Sequence, residues 1–173
     1  PISAADNNAG NPTLARIAAS SGAVLTGDVL AGPASTVAMT LTGSTWTGAS
    51  ILNGAATPAG GLTTIGVDAT SLWTVTKSSF VRQMTVNTGQ IAFVPPLVPT
   101  DPASYKSLTT PDYVGNGGVM AFNTRLGADA SPTDLLIIDG GAASGTTAVR
   151  VTNAGGLGAV TQGDGIRLVQ ATN

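Results

Sequence analysis

The chain has no cysteine, no histidine and no glutamate, and Lys77 and Lys106 are its only lysines. Without histidine or cysteine, Ser-His-Asp and Cys-His nucleophile arrangements are excluded. So is every zinc site built on imidazole or thiolate. No disulfide can staple the fold, so a core must supply the stability; the cysteine count alone fits a secreted or a cytosolic protein equally. Charged residues make up 9% of the chain, against roughly 25% in an average soluble protein. Exposed helix faces are ordinarily built from Glu, Lys, Arg and Gln, and this alphabet cannot build them. No run of about 18 apolar residues occurs, so nothing spans a bilayer as a helix. The net charge is −2, and Arg16, Lys77, Arg82, Lys106, Arg125, Arg150 and Arg167 never cluster. That leaves no basic face for nucleic acid. The start at Pro1-Ile2-Ser3 carries neither a charged n-region nor an apolar h-region, which suggests an excised fragment.

What the chain does have is 173 residues, 42% of them hydrophobic, enough for one domain with a sizeable core. Thr, Val, Ala, Ser and Gly dominate. β-Branched side chains fit a pleated surface and glycines permit tight turns, so the predicted class is all-β. Short alternating runs recur from Ala23 onward, and Val37, Met39 and Leu41, like Met84 and Val86, fall on one strand face. The segments Leu41 to Gly48 and Asp68 to Val75 echo each other, with Trp46 and Trp73 27 residues apart. A strand-bearing period of that length predicts a β-solenoid, each coil burying its apolar face on the next. An immunoglobulin-like sandwich also supplies short strands, but not the echo. Phe93 to Pro102 is too proline-rich for a sheet and predicts a long surface loop separating the coils from the C-terminal half. Asn87-Thr88-Gly89 and Gly115-Asn116-Gly117-Gly118 predict turns. The first twenty residues, with Asn7 to Pro12, suggest a frayed edge where upstream coils have been cut away, and Leu14 to Ala19 a helical turn or two.

Candidate sites are few. Gly141-Ala142-Ala143-Ser144-Gly145 has the wrong spacing for a nucleophile elbow, and no base exists to activate Ser144. Asp129, Asp134 and Asp139 recur every five residues, the tightest acidic grouping in the chain. Carboxylates gathered on a solenoid face suit calcium or general acid and base work, but five is not a strand period, and loop-terminating roles explain all three. The nonapeptide calcium repeat is missing, and Gly163-Asp164-Gly165 alone is too little. Trp46 and Trp73 are either exposed platforms or, as their matching positions favour, a stack inside the solenoid. Leu135-Leu136-Ile137-Ile138 is either a strand buried on both faces or an edge to which another chain adds.

Five short pieces carry a resemblance when taken in order: Tyr105 to Thr109, Val114 to Gly118, Ser131 to Gly141, Val151 to Gly156 and Gly163 to Val169. Together they resemble the C-terminal, pertactin-like autochaperone region of a bacterial autotransporter passenger. The resemblance implies right-handed parallel β-helix coils over residues 1–94, the Pro-rich loop at 95–104, and a hairpin-containing C-terminal cap at 105–173. It implies an intramolecular chaperone, not an enzyme, that templates the folding and outer-membrane secretion of a virulence-factor or adhesin passenger, at the cell surface or secreted. Its partners would be the upstream coils of the same passenger and a downstream translocator barrel. No cofactor, metal or nucleic acid is expected, and the fragment is expected to be monomeric. Low cysteine also fits this family, because a premature disulfide would jam a chain threading an outer-membrane pore. The apolar strands expected to form the template core are Leu135, Leu136, Ile137, Ile138, Val149, Val151, Ile166, Leu168 and Val169. Two alternatives remain: a structural or adhesive β-helix of a surface or fibre protein, and a polysaccharide-cleaving β-helix.

Overall fold

The structure is a computed structural model and describes residues 2–4, 13–32, 35–52 and 62–172. Its strands wind in coils that each contribute to three sheets. Strand β1 (Ile2–Ala4) precedes a first coil of β2 (Leu14–Ser20), β3 (Val24–Thr26) and β4 (Val29–Ala31). The second coil is β5 (Thr36–Thr42), β6 (Thr45–Gly48) and β7 (Ser50–Leu52), and the third is β8 (Leu62–Val67), β9 (Leu72–Val75) and β10 (Ser79–Phe80). The fourth is β11 (Gln83–Asn87), β12 (Gln90–Phe93) and β13 (Ser107–Thr110). In the last two coils the first pair of strands fuses. These coils are β14 (Asp112–Thr124) with β15 (Leu135–Asp139), and β16 (Ala143–Asn153) with β17 (Val169–Thr172).

Every named strand pairing is parallel, from β2 on β5 through β14 on β16, so the fold is the expected parallel β-helix. The expected hairpin is short: Thr124 and Thr133 form an antiparallel bridge, flanked by Arg125 N donating to Pro132 O and Asp134 N to Asn123 O. Leu14–Ser20 is a strand, where the sequence suggested a helical turn. Its Ala, Leu and Arg favour a helix locally, but pairing all seven residues with Thr36–Thr42 satisfies its backbone in the sheet. The edge signalled by Asn7 to Pro12 lies outside the described residues.

Alternation within each strand builds the core. Val37, Met39 and Leu41 of β5 point inward, and Met39 lies in register with Ile65, which in turn lies over Met84. In the next sheet Trp46 pairs with Trp73, Trp73 with Ile91, and Ile91 with Met120. At the corner between these sheets the backbone turns through the left-handed region at Gly22, Gly43, Thr70, Thr88 and Gly117. Gly22 N donates to Gly43 O, and Thr88 N donates to Asn116 O, so successive corners are tied to one another. A left-handed threonine is costly, and at Thr88 the hydrogen bond from its amide to Asn116 O of the next coil helps hold it there. The last coil has no such corner, and β16 runs straight through it. Phe93, counted with the Pro-rich stretch from sequence, instead closes β12 as a buried strand residue. The stretch after it forms a loop within the fourth coil, between β12 and β13, pinned by Tyr105 Oη donating to Pro99 O at 2.9 Å. A 3-10 turn at Pro102–Ser104 is capped by the Asp101 carboxylate. The parallel ladder continues past it into β13.

Candidate functional site

The nine residues expected to form a template core occupy three kinds of place. Leu136 and Ile138 are buried in the continuous core. Leu135 and Ile137, on the opposite face of β15, are half-buried, and β15 is hydrogen-bonded on both sides, to β13 and β17. It is thus neither buried on both faces nor a free edge. Ile166 is half-buried, and Leu168 packs partly buried against the core.

Val149, Val151 and Val169 correct the expectation of a core. They are 51%, 43% and 44% exposed, because among the described residues no strand lies over β16 or over β17 on the side away from β15. The interior also narrows there: Tyr113 is followed in register by Ala143, Met120 by Val149, and Leu136 by Val169. Smaller side chains leave an apolar hollow of about 280 Å³ lined by Tyr113, Met120, Phe122, Leu136, Ile138 and Val149 among others. Tyr113 Oη and Thr147 Oγ1 meet inside it at 2.6 Å, and burial pushes the Tyr113 phenol above its ordinary value.

The three aspartates act as acceptors for backbone and hydroxyl donors from distant parts of the chain. Asp134 is fully buried and takes Lys106 N at 2.9 Å on one oxygen, with Asn123 N and Asn123 Nδ2, each at 2.8 Å, on the other. Burial raises its carboxyl, against the downward pull of those donors. Asn123 Nδ2 also donates to Phe93 O and Val94 O, tying this corner to the preceding coil. Asp129 gathers the amides of Gln162, Gly163 and Gly165 at 2.6, 3.1 and 2.7 Å, which fastens the segment before β17 and lowers its carboxyl. Asp139 accepts from Thr172 Oγ1 at 2.6 Å. Among the described residues no group of three potential metal ligands occurs.

The fold points instead to a junction the sequence did not single out. Two of the three sheets run unbroken from the third coil to the fourth, with Thr64 to Val67 of β8 over Gln83 to Val86 of β11 and Leu72 to Val75 of β9 over Gln90 to Phe93 of β12. The inward residues on the fourth-coil side are Met84, Val86, Ile91 and Phe93, all buried. The remaining sheet also continues from the third coil to the fourth, β10 on β13, but is split one step earlier, one part ending at β7 of the second coil and the other starting at β10 of the third. Side chains bridge the split. Ser50 N donates to Ser79 Oγ at 3.1 Å and Ser50 Oγ to Phe80 O at 2.7 Å, while Ser79 Oγ donates locally to Lys77 O at 2.8 Å. Met84, Val86 and the run from Gln90 to Val94 were visible as alternating strands, but nothing in the sequence marks Ser50 or Ser79.

Comparison with known proteins places the same boundary at Ser79. The chain is 49% identical over 59 residues to Uncharacterized protein YdeU of Escherichia coli (strain K12), a stretch that is 34% of this chain and 12% of that protein. It is 45% identical over 75 residues to Adhesin BmaC autotransporter of Brucella suis biovar 1 (strain 1330), covering 43% of this chain and 2% of that protein. A third relative, Uncharacterized protein YuaQ of E. coli (strain K12), is 52% identical over 50 residues, 29% of this chain and 4% of its own length. The chain therefore spans a small part of each of these relatives. No solved structure matches it with significance. Residues 79–173 match Autochaperone Domain Type 1. That match covers more than half of the chain, which belongs to the type 1 autochaperone domain family.

Proposed function

We propose that residues 79–173 act as an intramolecular chaperone, on which the upstream coils of the same polypeptide stack during export of an autotransporter passenger to the bacterial surface. The observation that carries this reading is the junction at Ser79: the family segment presents Met84, Val86, Ile91 and Phe93 together with the ladder edges of β11 and β12. A solenoid coil cannot bury its apolar face alone. An edge already folded supplies both hydrogen-bond partners and apolar surface to the next coil. The role is non-enzymatic, and its partners are the upstream coils and, in the longer parent, a translocator barrel. A passenger of adhesin type fits the relative named as an autotransporter adhesin.

The reading is tested in the full-length parent with Leu136→Asp, which buries an unpartnered carboxylate within the family segment. Export to the pore should proceed while the surface passenger becomes protease-sensitive, and the intact 173-residue chain supplied in trans should partly restore resistance. Ser131→Ala, in the loop of the short hairpin, should change little. A Leu136→Asp passenger as resistant as the parent would reduce the segment to a spacer.

A further inference from the structure

We infer that Ser50 and Ser79 form a register-selecting clamp, which fixes how the upstream coils seat on the autochaperone segment; the inference rests on the stacking reading above. The other two sheets at the junction do not discriminate well. Their backbone groups and inward residues repeat every two positions. A one-residue slip would turn the apolar set outward and is strongly disfavoured. A two-residue slip of β8 on β11 that carries Thr64 opposite Thr85 would place Ile65 over Val86 and keep both faces as they are. Contacts that do not repeat must break this degeneracy.

The split sheet supplies them. Ser50 is 1% and Ser79 5% exposed. The Ser79 hydroxyl accepts from Ser50 N and donates to Lys77 O, while the Ser50 hydroxyl donates to Phe80 O. The two bonds that cross from β7 to β10 are satisfied in one register only, while the Ser79 donation to Lys77 O is local and register-independent. Displaced by two residues, Ser50 N and the Ser50 hydroxyl would be buried without partners, and that asymmetric penalty is what makes a hydrogen bond selective. Neighbouring strands of the first and second coils pair through backbone groups at the corresponding place, Val29 with Ser50. The side-chain clamp thus stands at the step where the family segment begins.

The absence of cysteine from the chain makes a direct test possible. Thr64 and Gln83 are register partners, and Thr85 lies two residues further along the same outward face of β11. The pair Thr64→Cys and Gln83→Cys reports the native register on oxidation after refolding from denaturant, and the pair Thr64→Cys and Thr85→Cys reports the slip. Native serines should give the first cross-link almost alone. With Ser50→Ala and Ser79→Ala together, the ratio of slipped to native cross-link should rise about fivefold per hydrogen bond lost. Ser50→Ala alone, which keeps Ser50 N on Ser79 Oγ, should fall between, and Ser79→Thr should restore the native ratio because it keeps the hydroxyl.

An unchanged ratio in a folded double variant overturns the clamp. If the double variant fails to fold, an unchanged ratio in Ser50→Ala overturns it equally. The template reading is judged separately by protease resistance at the cell surface. A clamp that fails while Leu136→Asp still exposes the passenger leaves that reading standing.

Discussion

The indole rings of Trp46 and Trp73 are stacked 4.7 Å apart and 10° from parallel, one coil above the other. Both are fully buried, and each ring nitrogen donates to a corner glycine one coil below, Trp46 to Gly27 O at 2.9 Å and Trp73 to Gly48 O at 3.1 Å. The echo between two sequence segments is therefore a physical repeat. It gives both the offset ring contact and the satisfied indole N–H that a buried tryptophan requires. Phe93 and Phe122 continue an aromatic contact further along, with centroids 5.6 Å apart.

Trp73→Ala should lower unfolding stability by about 3–5 kcal/mol, the usual cost of deleting a buried large aromatic. Equilibrium denaturation followed by circular dichroism measures this. A loss within about 0.5 kcal/mol, the range of surface substitutions, would contradict the buried stack. In the unsubstituted chain, native fluorescence should be blue-shifted and insensitive to iodide until the protein unfolds.

Gly48 and Gly140 should respond differently to alanine. A Cβ on Gly48 would collide with the Gly27 carbonyl and press on Trp46 Nε1 at 2.7 Å. Moving that backbone should cost about 1–3 kcal/mol, with about 1 kcal/mol more from the strained indole hydrogen bond. Gly140 has φ +77 with open space around its absent Cβ, so Gly140→Ala should cost only the left-handed penalty of about 1–2 kcal/mol. Melting temperatures of the two variants test the order, and a Gly140→Ala chain less stable than Gly48→Ala would reverse it.

Docking of the segment around Gln162 onto Asp129 should depend on pH. The amide of Gln162, then those of Gly165 and Gly163, hold the folded carboxyl below its ordinary value. A depressed carboxyl contributes stability that is present above the unfolded value, about 3.9, and is lost as pH falls through the lower folded value. The amide proton shifts of Gln162 and Gly165, followed by NMR through an acid titration, should therefore share a midpoint below about 3.9. A midpoint at or above that value would mean that the carboxylate does not carry these amides.

The coil architecture was legible because it follows from residue-level physics. Alternation at Val37, Met39 and Leu41 leaves one apolar strand face, an alphabet without glutamate builds few helices, and two tryptophans at matched points announce a repeat. The Pro-rich loop was legible too, since proline has no amide to give a ladder. Leu14 to Ala19 was not, because six residues of good helix propensity say nothing about the strand that will pair with them. Nor was the fate of Asp129, Asp134 and Asp139, whose donors lie as far away in sequence as Gly165 and Thr172.

The sequence by itself determined that the chain is a cysteine-free parallel solenoid and which face of each strand turns inward, because side-chain alternation and backbone preference are local. Only the tertiary structure decided where that inward face is covered. Leu136 and Val169 are register partners with the same apolar character, yet one is 3% and the other 44% exposed. A following strand lies over the first and, among the described residues, none over the second. The Ser50–Ser79 contact was decided in the same way. Coils of unequal length set its register, as the pairs Leu14 with Thr36, Thr64 with Gln83 and Tyr113 with Ala143 show, and burial makes a hydroxyl satisfied in one register costly in any other.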